Sequence, residues 1–208
     1  MEKIKNGSID LIIGTSRLLS DDLEFKDLGF LIIDEEQKFG VKAKEKFKKM
    51  RGNLNILAMT ATPIPRTLNL SLLGIRDLSI VDIPPEGRKA VKTFFIEKKG
   101  ETIVKAILQE LSREGQVFYI FNSVKRIQEK VKELEKILPS YVRVDCIHGK
   151  MSGKELKYTI EQFENMQIDV LVSTTILENG IDIENANTMI IEGMEKLGLS
   201  QIYQLRGR

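Results

Sequence analysis

One cysteine, one histidine and five prolines are all that 208 residues contain of these types. With Cys146 alone, no internal disulfide framework can form, and the usage suits a reducing compartment. His148 has no cysteine, aspartate or second histidine beside it at metal-ligand spacing, which argues against zinc chemistry and against a catalytic role. No apolar run approaches the roughly 18 to 20 residues of a membrane span, and Met1-Glu2-Lys3 opens no secretory segment, so a cytoplasmic location is expected. Charge of one sign is missing too. The 32 basic and 30 acidic residues leave +2, so any contact with nucleic acid must be local. Neither Gly-x-Gly-x-x-Gly nor Gly-x-x-x-x-Gly-Lys-Ser/Thr occurs. The first absence excludes a dinucleotide enzyme of Rossmann type. There is no solenoid-period repeat and no low-complexity tract.

What is present is a soluble composition, 42% hydrophobic and 30% charged, able to bury a core. Short apolar runs recur, each ending in a polar or glycine-bearing tip: Leu11-Ile12-Ile13 before Gly14, Leu31-Ile32-Ile33 before Asp34, and Ile56 to Met59 before Thr60. Val117 to Phe121 before Asn122, Val170-Leu171-Val172 before Ser173, and Met189-Ile190-Ile191 before Glu192 repeat the scheme. Such runs read as buried parallel strands. Between them, Ile103, Ile107 and Leu111 mark a helix over about 102–113, with Gly115 placed to cap it. Val124, Ile127, Val131 and Leu134 mark another from 123 to about 138, stopped by Pro139, with its Lys and Glu residues on the solvated face. Ser152 and Glu155 have capping-box spacing. Alternating strands and helices predict a doubly wound α/β fold whose ligands bind beyond the carboxyl ends of the strands. The Asp82-Ile83-Pro84-Pro85-Glu86-Gly87-Arg88 stretch breaks every periodicity and is the expected linker.

The tips therefore carry the chemistry. At Asp34-Glu35, one carboxylate can hold Mg²⁺ while its neighbour polarises a hydrolytic water, although acidic pairs at strand ends are also ordinary loop polarity. Thr60-Ala61-Thr62-Pro63 supplies small residues and two hydroxyls, or a helix start, or both. Gly14-Thr15-Ser16-Arg17 fits a phosphate contact and a helix N-cap equally well. Thr174 and Thr175 can bond phosphate, Gly180 permits close backbone approach, and Asp182 can accept from a ribose hydroxyl or an arginine.

In this order, the acidic box, the Thr-Ala-Thr box, the segment from Thr174 to Ile183 and Gln204-Leu205-Arg206-Gly207-Arg208 resemble motifs II, III, V and VI of the superfamily-two helicases. Gly14 to Arg17 resembles motif Ib, and His148-Gly149 the element between motifs IV and V. The longer text, DEEQKFGV from Asp34, TATPIPRT from Thr60 and the run Gly74 to Ser79, looks like the bacterial transcription-repair coupling factor family, with RecG-type branched-DNA helicases as the alternative. The resemblance implies RecA-like parallel sheets flanked by helices, with ATP and Mg²⁺ as cofactors. It implies catalysis by Asp34 with Mg²⁺, Glu35 and Arg208, and ATP contacts from Gln37, Gly180, Asp182 and Gln204. It implies nucleic-acid contacts from Gly14, Thr15, Arg17, Asn122, Thr174 and Thr175, and coupling between lobes through Thr60 and Thr62. The implied partners are double-stranded DNA and, for a full-length protein, RNA polymerase and nucleotide excision repair proteins. The implied activity is ATP-driven translocation that displaces a stalled polymerase. A degenerate helicase-like binding module is the competing class, against which the intact acidic box argues.

Without the phosphate loop, and with the second motif VI arginine expected three residues after Arg208, the chain reads as a fragment. Residues 1–85 are expected to supply the later part of a first lobe, 86–91 a linker, and 92–208 most of a better-ordered second lobe.

Overall fold

The computed structural model describes residues 2–50, 54–60, 77–81, 83, 90–97, 99–175 and 185–206. The chain divides into two compact units, Met1–Leu78 and Ser79–Arg208. Most of the linker sequence and the expected helix after Pro63 lie outside the described residues.

The first unit contains a short helix α1 (Glu2–Lys5), strand β1 (Phe30–Asp34), helix α2 (Val41–Met50) and strand β2 (Asn55–Met59). β1 and β2 pair in parallel from Phe30↔Asn55 to Asp34↔Met59, with α2 as the crossover. Ile33 is buried at 4% exposure, whereas Phe30, Ile32, Leu57 and Met59 remain exposed on the other face. The expected strand at Leu11–Ile13 does not form. Those residues pair with nothing among the described residues, and Leu11 and Ile13 lie open to solvent, because an apolar run becomes a strand only where a ladder partner meets it.

In the second unit the strands are β3 (Val117–Phe121), β4 (Val144–Ile147), β5 (Val170–Ser173) and β6 (Thr188–Glu192). They form one parallel sheet in the order β4-β5-β3-β6. The helices are α3 (Gly100–Leu111), α4 (Ile127–Ile137), α5 (Gly153–Glu164) and α6 (Leu199–Arg206). Successive strand residues point to opposite faces, so the sheet feeds two cores. Val117, Tyr119, Val170, Val172 and Cys146 pack with Ile103 and Ile107 of α3 and Ile127, Val131 and Leu134 of α4. Phe118, Ile120, Leu171 and Ile147 pack with Phe163 of α5 and Leu205 of α6. The Phe118 and Phe163 rings sit 5.1 Å apart at 52°, a tilted pair that adds about 1 kcal/mol to plain burial. This is the doubly wound arrangement expected from the strand-and-tip pattern, and its parallel sheet flanked by helices is the RecA-like form that the helicase resemblance implies. No helix among the described residues is long and apolar enough to cross a membrane.

Three local expectations resolve in detail. Ser152 and Glu155 form the reciprocal capping box: the Ser152 amide donates to the Glu155 carboxylate at 2.8 Å, and the Glu155 amide to Ser152 Oγ at 3.3 Å. The end of α3 differs from the expected glycine cap. Glu114, not Gly115, takes the left-handed position at φ 61, while the Gly115 amide donates to the Glu110 carbonyl at 3.1 Å and the Glu114 amide to the Leu111 carbonyl at 3.0 Å. Glycine is required at 115 because a Cβ there would run into the carboxylate of buried Glu110, which accepts from the Arg113 guanidinium and the Thr188 hydroxyl. The third expectation also differs: the Lys and Glu residues of α4 do not all face solvent. Lys130 falls three residues after Ile127 and four before Leu134, on the apolar stripe itself, and is 3% exposed.

The lone thiol is internal. Cys146 Sγ accepts from Gln128 Nε2 at 3.1 Å, and burial, aided by the Asp145 charge, pushes its pKa up to about 11.

Gly115→Ala is expected to lower the stability of the second unit by roughly 2 kcal/mol, since either Glu110 or the turn must move. Urea unfolding followed by circular dichroism measures it.

Candidate functional site

In the first unit, parallel pairing brings two tips side by side. Asp34 ends β1 opposite Met59, which ends β2, so the residues after them emerge at the same edge. Glu35 turns the chain there with φ 52 and ψ 54, a left-handed conformation unusual for a residue with a side chain. Its amide donates to the Met59 carbonyl at 2.9 Å, which locks the turn to the neighbouring strand. Its carboxylate accepts from the Thr60 hydroxyl at 3.2 Å. Glu36–Lys38 continue as one 3-10 turn, closed by the Lys38 amide donating to the Glu35 carbonyl at 2.8 Å. Gln37 lies within this turn. Asp34 is exposed, whereas Glu35 is half-buried. The acidic box and the first threonine of the Thr-Ala-Thr box are therefore joined by a direct hydrogen bond.

Among the described residues no three His, Cys, Asp or Glu side chains gather as a metal site. The donor set at β1 is one exposed strand-end carboxylate beside a second, half-buried one. This fits Mg²⁺, which is usually held by one or two carboxylates together with water and substrate phosphates.

Gly14, Thr15 and Arg17 form a different local structure. Thr15 is the N-cap of the 3-10 turn Ser16–Leu19, its hydroxyl accepting from the Arg17 amide at 3.4 Å. A Cβ at residue 14 would lie 2.9 Å from Leu18 Cγ, so the glycine lets this turn fold back on itself. The Arg17 guanidinium grips Asp22 with two bonds of 2.6 Å and also donates to the Ser20 hydroxyl. These contacts, Arg17 first and Ser20 second, hold the Asp22 carboxyl well below the usual carboxylate range. The segment is exposed, with its one cation satisfied internally.

In the second unit, register places the sheet's tips in a row. Ile147 is level with Ser173, Ser173 with Ile120, and Phe121 with Glu192. One edge thus carries His148, Thr174, Asn122 and Gly193 in that order. Asn122 is exposed, Thr175 half-buried, and Thr174 buried at 6% with the Ser173 hydroxyl donating to its carbonyl at 2.9 Å. His148 closes a tight turn, its Nδ1 accepting from the Lys150 amide at 3.3 Å. Gln204 sits half-buried on α6, beside Leu205, whose 1% exposure anchors the helix to the core. Thr62, Gly180, Asp182 and Arg208 lie outside the described residues.

A cluster that sequence reasoning passed over lies under the same edge. The Tyr119 hydroxyl donates to Glu192 at 2.6 Å, and the Lys130 ammonium is 3.1 Å from that carboxylate. Burial first, and then the Glu192 contact, pushes the Tyr119 hydroxyl far above its ordinary pKa. The signal available in the sequence was a lysine at an apolar position of the α4 stripe.

Residues 98–208 match the helicase conserved C-terminal domain family, and residues 1–70 match the DEAD/DEAH box helicase family. The transcription-repair-coupling factors of Staphylococcus aureus (strain USA300) and Staphylococcus epidermidis (strain ATCC 35984) are each 49% identical over 207 residues, covering 100% of this chain. The chain spans 18% of their length. A structure of RecG bound to a three-way DNA junction superposes with a TM-score of 0.69 at 37% identity, covering 100% of this chain and 27% of that one. Saccharomyces cerevisiae Dbp5 bound to RNA and ADP BeF3 has a TM-score of 0.60 at 16% identity, covering 86% of this chain and 49% of its own, a likeness of fold.

Arg17→Ala is expected to bring the Asp22 carboxyl back up toward the ordinary carboxylate range. Carboxyl-carbon NMR titration of the two proteins reads the change.

Proposed function

The chain belongs to the superfamily-two helicases, and from that premise we propose that it is the nucleotide- and DNA-handling part of an ATP-driven double-stranded DNA translocase of the transcription-repair coupling type. In that role the full-length protein displaces stalled RNA polymerase and passes the site to nucleotide excision repair proteins. Residues 1–85 are assigned to the ATP-binding lobe, 86–91 to a linker and 92–208 to the second lobe. The observation that carries the reading is the Glu35–Thr60 hydrogen bond at the end of β1, in a chain 49% identical to coupling factors along its whole length.

The chemistry follows from the strand ends. Bound ATP with Mg²⁺ supplies the phosphoryl group and the counter-charge for it. Asp34, at the exposed end of β1, is the residue that would hold the metal. Glu35 is the general base that takes a proton from water; its left-handed turn and the bond from Thr60 fix where the carboxylate points. Gln37, Gly180, Asp182 and Gln204 are assigned to the nucleotide and Arg208 to its phosphates, where fixed positive charge stabilises charge developing in the transition state. Asn122, Thr174 and Thr175, with Gly14, Thr15 and Arg17, are assigned to DNA phosphates, and Thr60 and Thr62 to coupling between lobes. Thr174 is only 6% exposed, so a phosphate would meet it through its backbone or after that segment opens. A RecG-type branched-DNA helicase is the second reading, favoured by the RecG superposition at 37% identity. The higher identity to coupling factors ranks it second.

Two outcomes test the assignment. In the full-length protein, Glu35→Gln should leave nucleotide binding intact and cut DNA-stimulated hydrolysis at least ~100-fold, as loss of a general base does. Unchanged turnover would remove Glu35 from the mechanism. The 208-residue chain, which has no Gly-x-x-x-x-Gly-Lys-Ser/Thr, should hydrolyse no ATP above background in a phosphate-release assay with DNA present.

A further inference from the structure

Lys130 is a buried ammonium to which the proposed chemistry gives no task. It is 3% exposed, on the face of α4 that packs against the sheet. Its Nζ lies 2.5 Å from Glu133 and 3.1 Å from Glu192, and 5.1 Å from the centroid of the Phe121 ring. The Tyr119 hydroxyl reaches the same Glu192 oxygen at 2.6 Å. A desolvated ammonium is tolerated only with close opposite charge and well-made hydrogen bonds, so this group is held in one geometry rather than a range of them.

That geometry has a location. Phe121 and Glu192 are register partners and the last residues of β3 and β6. The lysine therefore clasps the ends of two adjacent strands from one side, one through its ring face and the other through its carboxylate. Asn122 leaves the first strand. Gly193 leaves the second in a left-handed turn at φ 73, and the chain then runs through the 3-10 turn Met194–Lys196 into α6, which carries Gln204 and Arg206. Leu205 anchors α6 on the other face of the sheet. The path from β6 to α6 is thus fixed at its start by Lys130 and at its end by Leu205.

We propose that Lys130 is a positioning residue: through Glu192 and Phe121 it sets the exits of β6 and β3, and with them the placement of the Gln204-bearing helix and of Asn122. What that placement serves rests on the motor reading above; the placement itself does not. Lys130→Met keeps side-chain length and removes the ammonium from half-buried Glu192. Lys130→Arg restores a cation at the same place.

Hydrogen–deuterium exchange on the 208-residue chain tests the placement. In Lys130→Met, amides of residues 193–206 and of Asn122 are expected to exchange at least ~10-fold faster, with α5 and β4 unchanged, and Lys130→Arg should recover most of the difference. Unchanged exchange at 193–206, or a rise spread evenly over the second unit, overturns the proposal. If Lys130→Met fails to fold, Glu192→Gln, which keeps shape and the partner for Tyr119, must show the same local rise or the proposal is overturned. In the full-length protein, Lys130→Met should lower kcat for DNA-stimulated ATP hydrolysis about tenfold, with KM for ATP moving less than about twofold. Unchanged kcat beside the exchange signature overturns the role in the reaction. Absence of DNA-stimulated hydrolysis in the unsubstituted full-length protein defeats the motor reading instead, and exchange alone then decides the placement.

Discussion

Parallel pairing on both sides of β3 is the constraint from which the second unit's organisation follows. A strand hydrogen-bonded to parallel neighbours on either side needs a crossover at each connection, and the crossovers cover both faces. The strand is then buried throughout, as Val117 to Ile120 are. Because all strands run one way, every polar residue after a strand emerges at the same edge. The row from His148 to Gly193 is a consequence of direction and register, before any side-chain chemistry is considered.

The first unit obeys the same rule on a smaller scale, and its two strands are enough to put Glu35 against Thr60. What differs is coverage. Only Ile33 of β1 is well buried, while β3 and β5 are buried along nearly their whole length. The local geometry at Glu35 therefore depends on backbone bonds, chiefly its amide to the Met59 carbonyl, more than on packing.

Much of this was legible in the sequence because the signals were local or periodic. The apolar runs at 117–121, 170–172 and 189–191, the stripe Ile127-Val131-Leu134 and the Ser152–Glu155 pair each specify their own structure within a few residues. Of the three misreadings, the first and last depend on a distant partner. Leu11–Ile13 has the composition of a strand but no ladder to join among the described residues, which composition cannot reveal. Gly115 looked like a left-handed cap, but its role is set by the carboxylate of Glu110 folding back over the turn. Lys130 looked solvated because lysines usually are, and its burial follows from Glu192, far away in the chain. At the site, the acidic box was visible as text, whereas the hydrogen bond uniting it with Thr60 follows from the β1–β2 register.

The backbone of Glu35 separates two selective pressures that usually coincide. A left-handed residue with a side chain carries strain of roughly 1 kcal/mol that glycine does not. A glycine at 35 would relax the turn while deleting the carboxylate, so a library sorted by folding yield and one sorted by DNA-stimulated hydrolysis would rank that variant in opposite orders. Position 35 is thus a place where optimising this chain for robustness alone would tend to erase its chemistry.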